Sequence, residues 1–130
     1  MINKNSINKD FHELVFNKLN ASGYTILPME YEDVAGAEVT YPFILYDTNT
    51  NYDSNTLKYA GLASGDIDLI VHSDDHAQCL LISDTIINLI DDDPDYEVIG
   101  IKIDNGTINE SRKQIYFSKI IINVRIDGIR

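Results

Sequence analysis

Residues 65–90 read GDIDLIVHSDDHAQCLLISDTIINLI, and this stretch divides into two periods. Its first part alternates. Ile67, Leu69 and Val71 fall on one side and Asp66, Asp68, Ile70 and His72 on the other, the pattern of a half-buried antiparallel strand. From Asp75 the period changes. Cys79, Ile82, Ile86, Leu89 and Ile90 recur at helical spacing, so a helix is expected over about Asp75–Ile90, ended by DDDPD (91–95). A strand therefore passes directly into a helix.

Toward the N-terminus, Ile7, Phe11, Leu14, Val15 and Leu19 predict a helix over about Asn8–Ser22. Ser6 or Asn8 can cap its start and Gly23 can end it. YTILP (24–28) is a short extended segment, MEYEDVAGAEVT (29–40) a polar loop or irregular strand, and YPFILYDT (41–48) a strand entered at Pro42. EVIGIKID (97–104) and KQIYFSKIIINVRI (113–126) are the last two strands, with Asn105–Gly106 as a turn signal between them. Tyr116, Ile120, Ile122, Val124 and Ile126 share one face of the final strand. The order α-β-β-β-α-β-β predicts an α+β domain of 130 residues: an antiparallel-rich sheet of four to five strands with two helices packed on it.

HSDDHAQC (72–79) gathers two histidines, two aspartates and the only cysteine. A metal-dependent hydrolase would need His72, Asp74 and His76 to converge on one ion. The spacing matches no ligand motif such as H-E-x-x-H, and Cys79 lies on the core stripe of the helix. Ser73 or Asp74 as N-cap, with acids in the first turn favoured by the helix dipole, explains the same residues without an ion. The junction is the better reading. Asp91, Asp93 and Asp95 have the D-x-D-x-D start of a calcium loop, but Tyr96 stands where glycine is needed and Lys102 where glutamate is needed. Scattered glycines offer no phosphate cradle, no nucleophile–base set is identifiable, and His12 reads as ordinary helix surface. No catalytic, metal or cofactor site is therefore expected.

The net charge of −11 is unevenly placed. Residues 1–30 balance, residues 31–64 carry −4, residues 65–110 carry −11 and residues 111–130 carry +4. Phosphate binding needs clustered Lys and Arg, so the composition argues against a general nucleic-acid binder. The basic end, with Arg112, Lys113, Lys119 and Arg125, could complement the acidic middle within one chain or between copies. No run approaches the roughly 20 apolar residues of a membrane span. MINKNSINKD has no apolar core of a signal peptide, and one cysteine suits a reducing cytoplasm. The Asn-x-Ser/Thr triplets at Asn20, Asn105 and Asn109 then read as chance matches.

Two features ask for a partner. The Asp47–Ser64 connection is long for a compact domain and carries Tyr52, Leu57, Tyr59 and Leu62. The second helix has apolar residues beyond its core stripe, with Leu80 and Ile87 at the edge and Leu81 on the polar side.

Over roughly residues 8–126 the pattern resembles the short tail-completion proteins of tailed bacteriophages, including tail terminator and tail-to-head joining proteins. The likeness lies in the order of parts: an amphipathic helix, a Tyr-Pro-apolar strand (YPFILY), and a variable loop. GDIDLIVHSDD then leads into a helix of the ISDTIINLI type, and RKQIYFSKIIINVRI closes the chain. Residues 24–40 fit least well. The resemblance implies a non-enzymatic virion protein, made in the bacterial cytoplasm, that forms a homo-oligomeric ring, typically hexameric. Such a ring caps the tail tube and joins it to neck and head-completion proteins, and DNA passes its lumen without specific binding. An acidic wall suits that passage. Another neck ring, a stopper or adaptor, is the nearest alternative.

Overall fold

The computed structural model describes residues 2–3, 5–29, 40–51, 63–110 and 113–127. In chain order the elements are α1 (Ile7–Ala21), β1 (Thr25–Pro28), β2 (Phe43–Asn51), β3 (Ala63–Ser73), α2 (His76–Asp91), β4 (Tyr96–Glu110) and β5 (Lys113–Ile126). The five strands make one sheet in the order β1-β2-β3-β5-β4. The α+β class and the element order agree with the sequence reading. The sheet, however, is mixed rather than antiparallel-rich, because β1 pairs parallel with β2, from Thr25 opposite Phe43 to Pro28 opposite Tyr46. A parallel neighbour needs a connection that returns the chain to the end where the first strand began. Residues 29–42 supply that length, and apolar patterning within each strand says nothing about its direction.

α1 forms because Ile7, Phe11, Val15 and Leu19 put one apolar stripe onto the sheet, and all four are buried. Ser6 stands at the N-cap without bonding a helix N–H; its hydroxyl donates to Asp10 Oδ2 at 2.9 Å instead. The Asn3 N–H donates to the same oxygen at 2.8 Å, and these two donors hold the Asp10 carboxyl below its usual pKa. Gly23 follows the helix at φ +86°, a left-handed conformation that a side chain would strain.

Both helices cover one face of the sheet. Beneath them Ile44, Tyr46, Ile67, Leu69, Val71, Ile120, Ile122, Val124 and Ile126 form the main core with the α1 stripe and with Cys79, Ile82, Ile86 and Ile90 of α2. Tyr96 closes its end. Its hydroxyl donates to the Ile90 carbonyl, its ring meets Phe11 edge to face at 6.1 Å, and burial pushes the phenol pKa well up.

The opposite face is less open than a half-buried strand implies. Phe43, Leu45 and Ile70 form a second buried cluster, packed by Leu27, Met29, Tyr41 and Phe117. β3 is therefore covered on both faces at its C-terminal end. The Asn105–Gly106 pair is no turn either, since β4 continues through it to Glu110. Gly106 lies opposite Phe117, whose ring occupies the space that a Cβ at 106 would need. The glycine serves cross-strand packing rather than chain reversal.

Candidate interaction surface

HSDDHAQC is dispersed by the fold rather than gathered. Asp75, one residue later than expected, is the N-cap of α2, and its side chain accepts the Gln78 N–H at 2.9 Å. The Ser73 hydroxyl accepts from the Asp75 N–H at 3.1 Å and donates to Gln78 Oε1 at 2.7 Å, so serine and aspartate share the capping. Asp74 is drawn to Lys113 at 3.0 Å. His72 is buried and stacks on Phe43, with centroids 4.7 Å apart, on the face away from the helices. His76 stacks on Tyr116 at 4.9 Å. The Cys79 thiol lies in the core, 3.6 Å from the Ser118 hydroxyl, and burial raises its pKa. Among the described residues no group of three or more His, Cys, Asp or Glu is placed to hold a metal ion.

The acidic run after α2 is a helix end tied to α1. Lys18 Nζ lies 3.2 Å from Asp93 Oδ2 and donates to the Asp92 carbonyl at 2.5 Å, while Asp93 Oδ1 accepts the Asp95 N–H at 2.8 Å. His12 is more engaged than an ordinary surface residue. Its ring is 3.0 Å from Thr48 Oγ1 through Nδ1 and 2.6 Å from the Tyr46 hydroxyl through Nε2, which fastens α1 to β2. Tyr46 and Thr48 lie 34 and 36 residues away in sequence, so no local pattern marks the contact.

Of the residues expected to meet partners, Leu81 is 64% exposed and Leu80 is 39% exposed on α2. Ile87 is half-buried and packs against the main core. Tyr52, Leu57, Tyr59 and Leu62 lie outside the described residues. The long connection itself is shorter than expected, because β2 runs to Asn51 and β3 begins at Ala63. The structure adds an apolar set on β4 and β5 that the sequence reading missed: Ile99, Ile101, Ile103, Ile108 and Ile121 are all exposed. Alternation in IGIKI was a visible signal, but it could not say that this strand lies at the edge of the sheet.

The basic final strand does not offer a free edge to a neighbour. β5 lies between β3 and β4, and its described cations are held within the chain. Arg125 pairs with Glu97 at 2.5 Å and Asp127 at 2.9 Å, Lys113 pairs with Asp74, and Lys119 sits 5.9 Å over the Phe117 ring. Arg112 lies outside the described residues. Lys113 and Arg125 thus meet acids of their own chain, while Lys119 faces a ring.

Asp47 and Asp68 face each other across β2 and β3, with Asp66 on the same sheet face, away from the helices. Partial burial, then Asp66, then Asp47, push the Asp68 carboxyl above its usual pKa. A carboxyl whose folded pKa lies above its unfolded value lowers stability at neutral pH, and the penalty fades as pH falls through the folded value. Asp68→Asn is accordingly expected to raise the thermal midpoint at neutral pH, with a gain in stability of less than about 1 kcal/mol because the half-buried side chain still reaches solvent, which screens it. The gain should disappear near about pH 3. Thermal melts of both proteins across that range check the sign.

No family model matches the chain, and a search of curated proteins finds no significant match. No described helix is long and apolar enough to cross a membrane.

Proposed function

We propose that the chain is a structural subunit of a tailed bacteriophage virion, forming a ring at the tail–neck junction that caps the tube and joins it to the head. What carries the reading is the exposed apolar surface of α2, where Leu81 projects into solvent beyond a core already complete beneath it. A surface leucine of this kind gives roughly 1.5–3 kcal/mol when a neighbouring subunit buries it. The element order and the Tyr-Pro entry to β2 fit the resemblance, and the trio Asp47, Asp66 and Asp68 on the outer face of the sheet suits a wall past which DNA must slide. The work of such a protein is assembly: copies pack side by side, and the two ring faces meet tube and neck.

Leu81→Asp tests this. The substitution is at an exposed position, so the monomer should keep its stability within about 0.5 kcal/mol. Purified protein would be added to tail tubes that lack a terminal ring and imaged by electron microscopy. Wild type is expected to add a ring at the tube end and Leu81→Asp to add none. Salt should weaken the wild-type ring only modestly, because apolar burial is not screened. Tubes left bare by the wild type, or capped equally by both proteins, would overturn the reading.

A further inference from the structure

β4 is the last strand of the sheet: one side pairs with β5, and among the described residues no strand pairs with the other. At 15 residues it is long for an edge strand, and such an edge is a template for another strand. After an irregularity between Val98 and Gly100 the strand alternates regularly. Ile101, Ile103 and Asn105 lie opposite Ile122, Ile120 and Ser118 on the helix face, while Lys102, Asp104 and Gly106 lie opposite Ile121, Lys119 and Phe117 on the other. Ile101 and Ile103 are 44% and 45% exposed, because α2 covers β3 and β5 and stops short of this edge. Lys102 and Asp104 are exposed and, among the described residues, make no ion pair, whereas Lys9, Lys18, Lys113 and Arg125 all do.

We infer that this edge pairs with the same edge of a second copy, antiparallel, about a two-fold axis through Ile103. Opposed residues in an antiparallel pair share a face, so an axis that keeps both helix faces on one side must pass through a residue. An axis through Lys102 would set lysine against lysine, and one through Asp104 would set aspartate against aspartate. Like charges directly opposed are unfavourable. Through Ile103, each Lys102 instead meets the second copy's Asp104, twice by symmetry. Ile103 then meets Ile103, Ile101 meets Asn105, and Gly100 meets Gly106. The result is a continuous ten-stranded sheet. Its helix face has the isoleucines of both copies in a seam, bordered by Leu80 of each α2, which already lines a cleft with Asn105, Gly106 and Thr107.

The pairing is isologous, so it closes on itself and leaves no β4 edge to extend. A ring of copies all facing one way cannot contain it. It is a form of the free protein that shields the edge, and it neither uses Leu81 nor depends on the phage reading.

Light scattering over a range of concentrations, with Lys102→Asp, Asp104→Lys and the double swap, tests the register. Wild type should reach the mass of two chains. Each single swap puts like charges together at two symmetric places and should raise the dissociation constant about ten-fold. The double swap in one chain should restore pairing. Independently, Ile103→Cys should form a covalent dimer on mild oxidation while Ile101→Cys does not. Only position 103 meets itself, and opposed Cα atoms about 4.5–5.5 Å apart are within disulfide reach. The native Cys79 is buried and stays out of the reaction. A protein that remains one chain at every concentration, or assembles in a way that the double swap fails to restore, overturns the inference. The second outcome would point to β4 meeting the β1 edge of a neighbour.

Discussion

Phe11→Ala is expected to lower the unfolding free energy by about 3–5 kcal/mol. Phe11 is fully buried where α1, β3 and the start of β4 meet. Its ring packs on Tyr96 and fills the space above Gly65, where a Cβ would come within 3.0 Å of two ring carbons. Removing the ring leaves a cavity bounded by a rigid strand and by a tyrosine whose hydroxyl is tethered to the Ile90 carbonyl, so the site cannot readily collapse. Urea unfolding should show a lower midpoint with an unchanged slope. Phe16, 36% exposed on the same helix, provides the control and should cost less than half as much when truncated. Gly65→Ala should destabilise the wild type but cost less in the Phe11→Ala background, because the added methyl enters the vacated space. A loss below about 1 kcal/mol for Phe11→Ala would mean that the α1–sheet junction is not tightly packed.

Lys18→Met is expected to cost about 1–3 kcal/mol, largely independent of salt. Lys18, in the last turn of α1, reaches the end of α2, where its ammonium meets the Asp92 carbonyl and the Asp93 carboxylate. The Asp93 side chain is only 6% exposed, so without Lys18 a largely desolvated carboxylate keeps the Asp95 N–H but loses its counter-charge. Lys9 and Glu13, an i,i+4 pair on the same helix, are 71% and 56% exposed, and breaking them should cost no more than about 0.5 kcal/mol. Unfolding curves for both variants in low and high salt separate the two cases. Adding Asp93→Asn to Lys18→Met should recover part of the loss, because it removes the stranded charge. Equal costs for the two lysines would show that burial at the α2 end does not distinguish them.

Much of the architecture was legible in local spacing. The alternation of GDIDLIV and the helical recurrence from Cys79 to Ile90 depend on which face of an element is covered, and that demand writes its period directly into the chain. Capping was readable to within a residue or two, because Ser73, Asp74 and Asp75 are near-equivalent acceptors and only backbone geometry selects Asp75. Asn105–Gly106 misled because its residue types suit a tight turn, whereas the space needed by the Phe117 ring, eleven residues beyond Gly106, determined the glycine's use.

The number, type and order of the elements and most of the stripe each one buries can be read from local spacing, because these follow from interactions between residues a few positions apart. The sequence also showed the charge asymmetry, though not its outcome. It took the folded chain to show that β1 runs parallel to β2, that β5 is interior and β4 is the edge, that His12 joins Tyr46 and Thr48, and that Lys113 and Arg125 meet Asp74 and Glu97. Each of these pairs residues far apart in sequence. Strand order and direction depend on how the connections return the chain and on which faces the helices cover, and these are properties of the whole domain that no local period encodes.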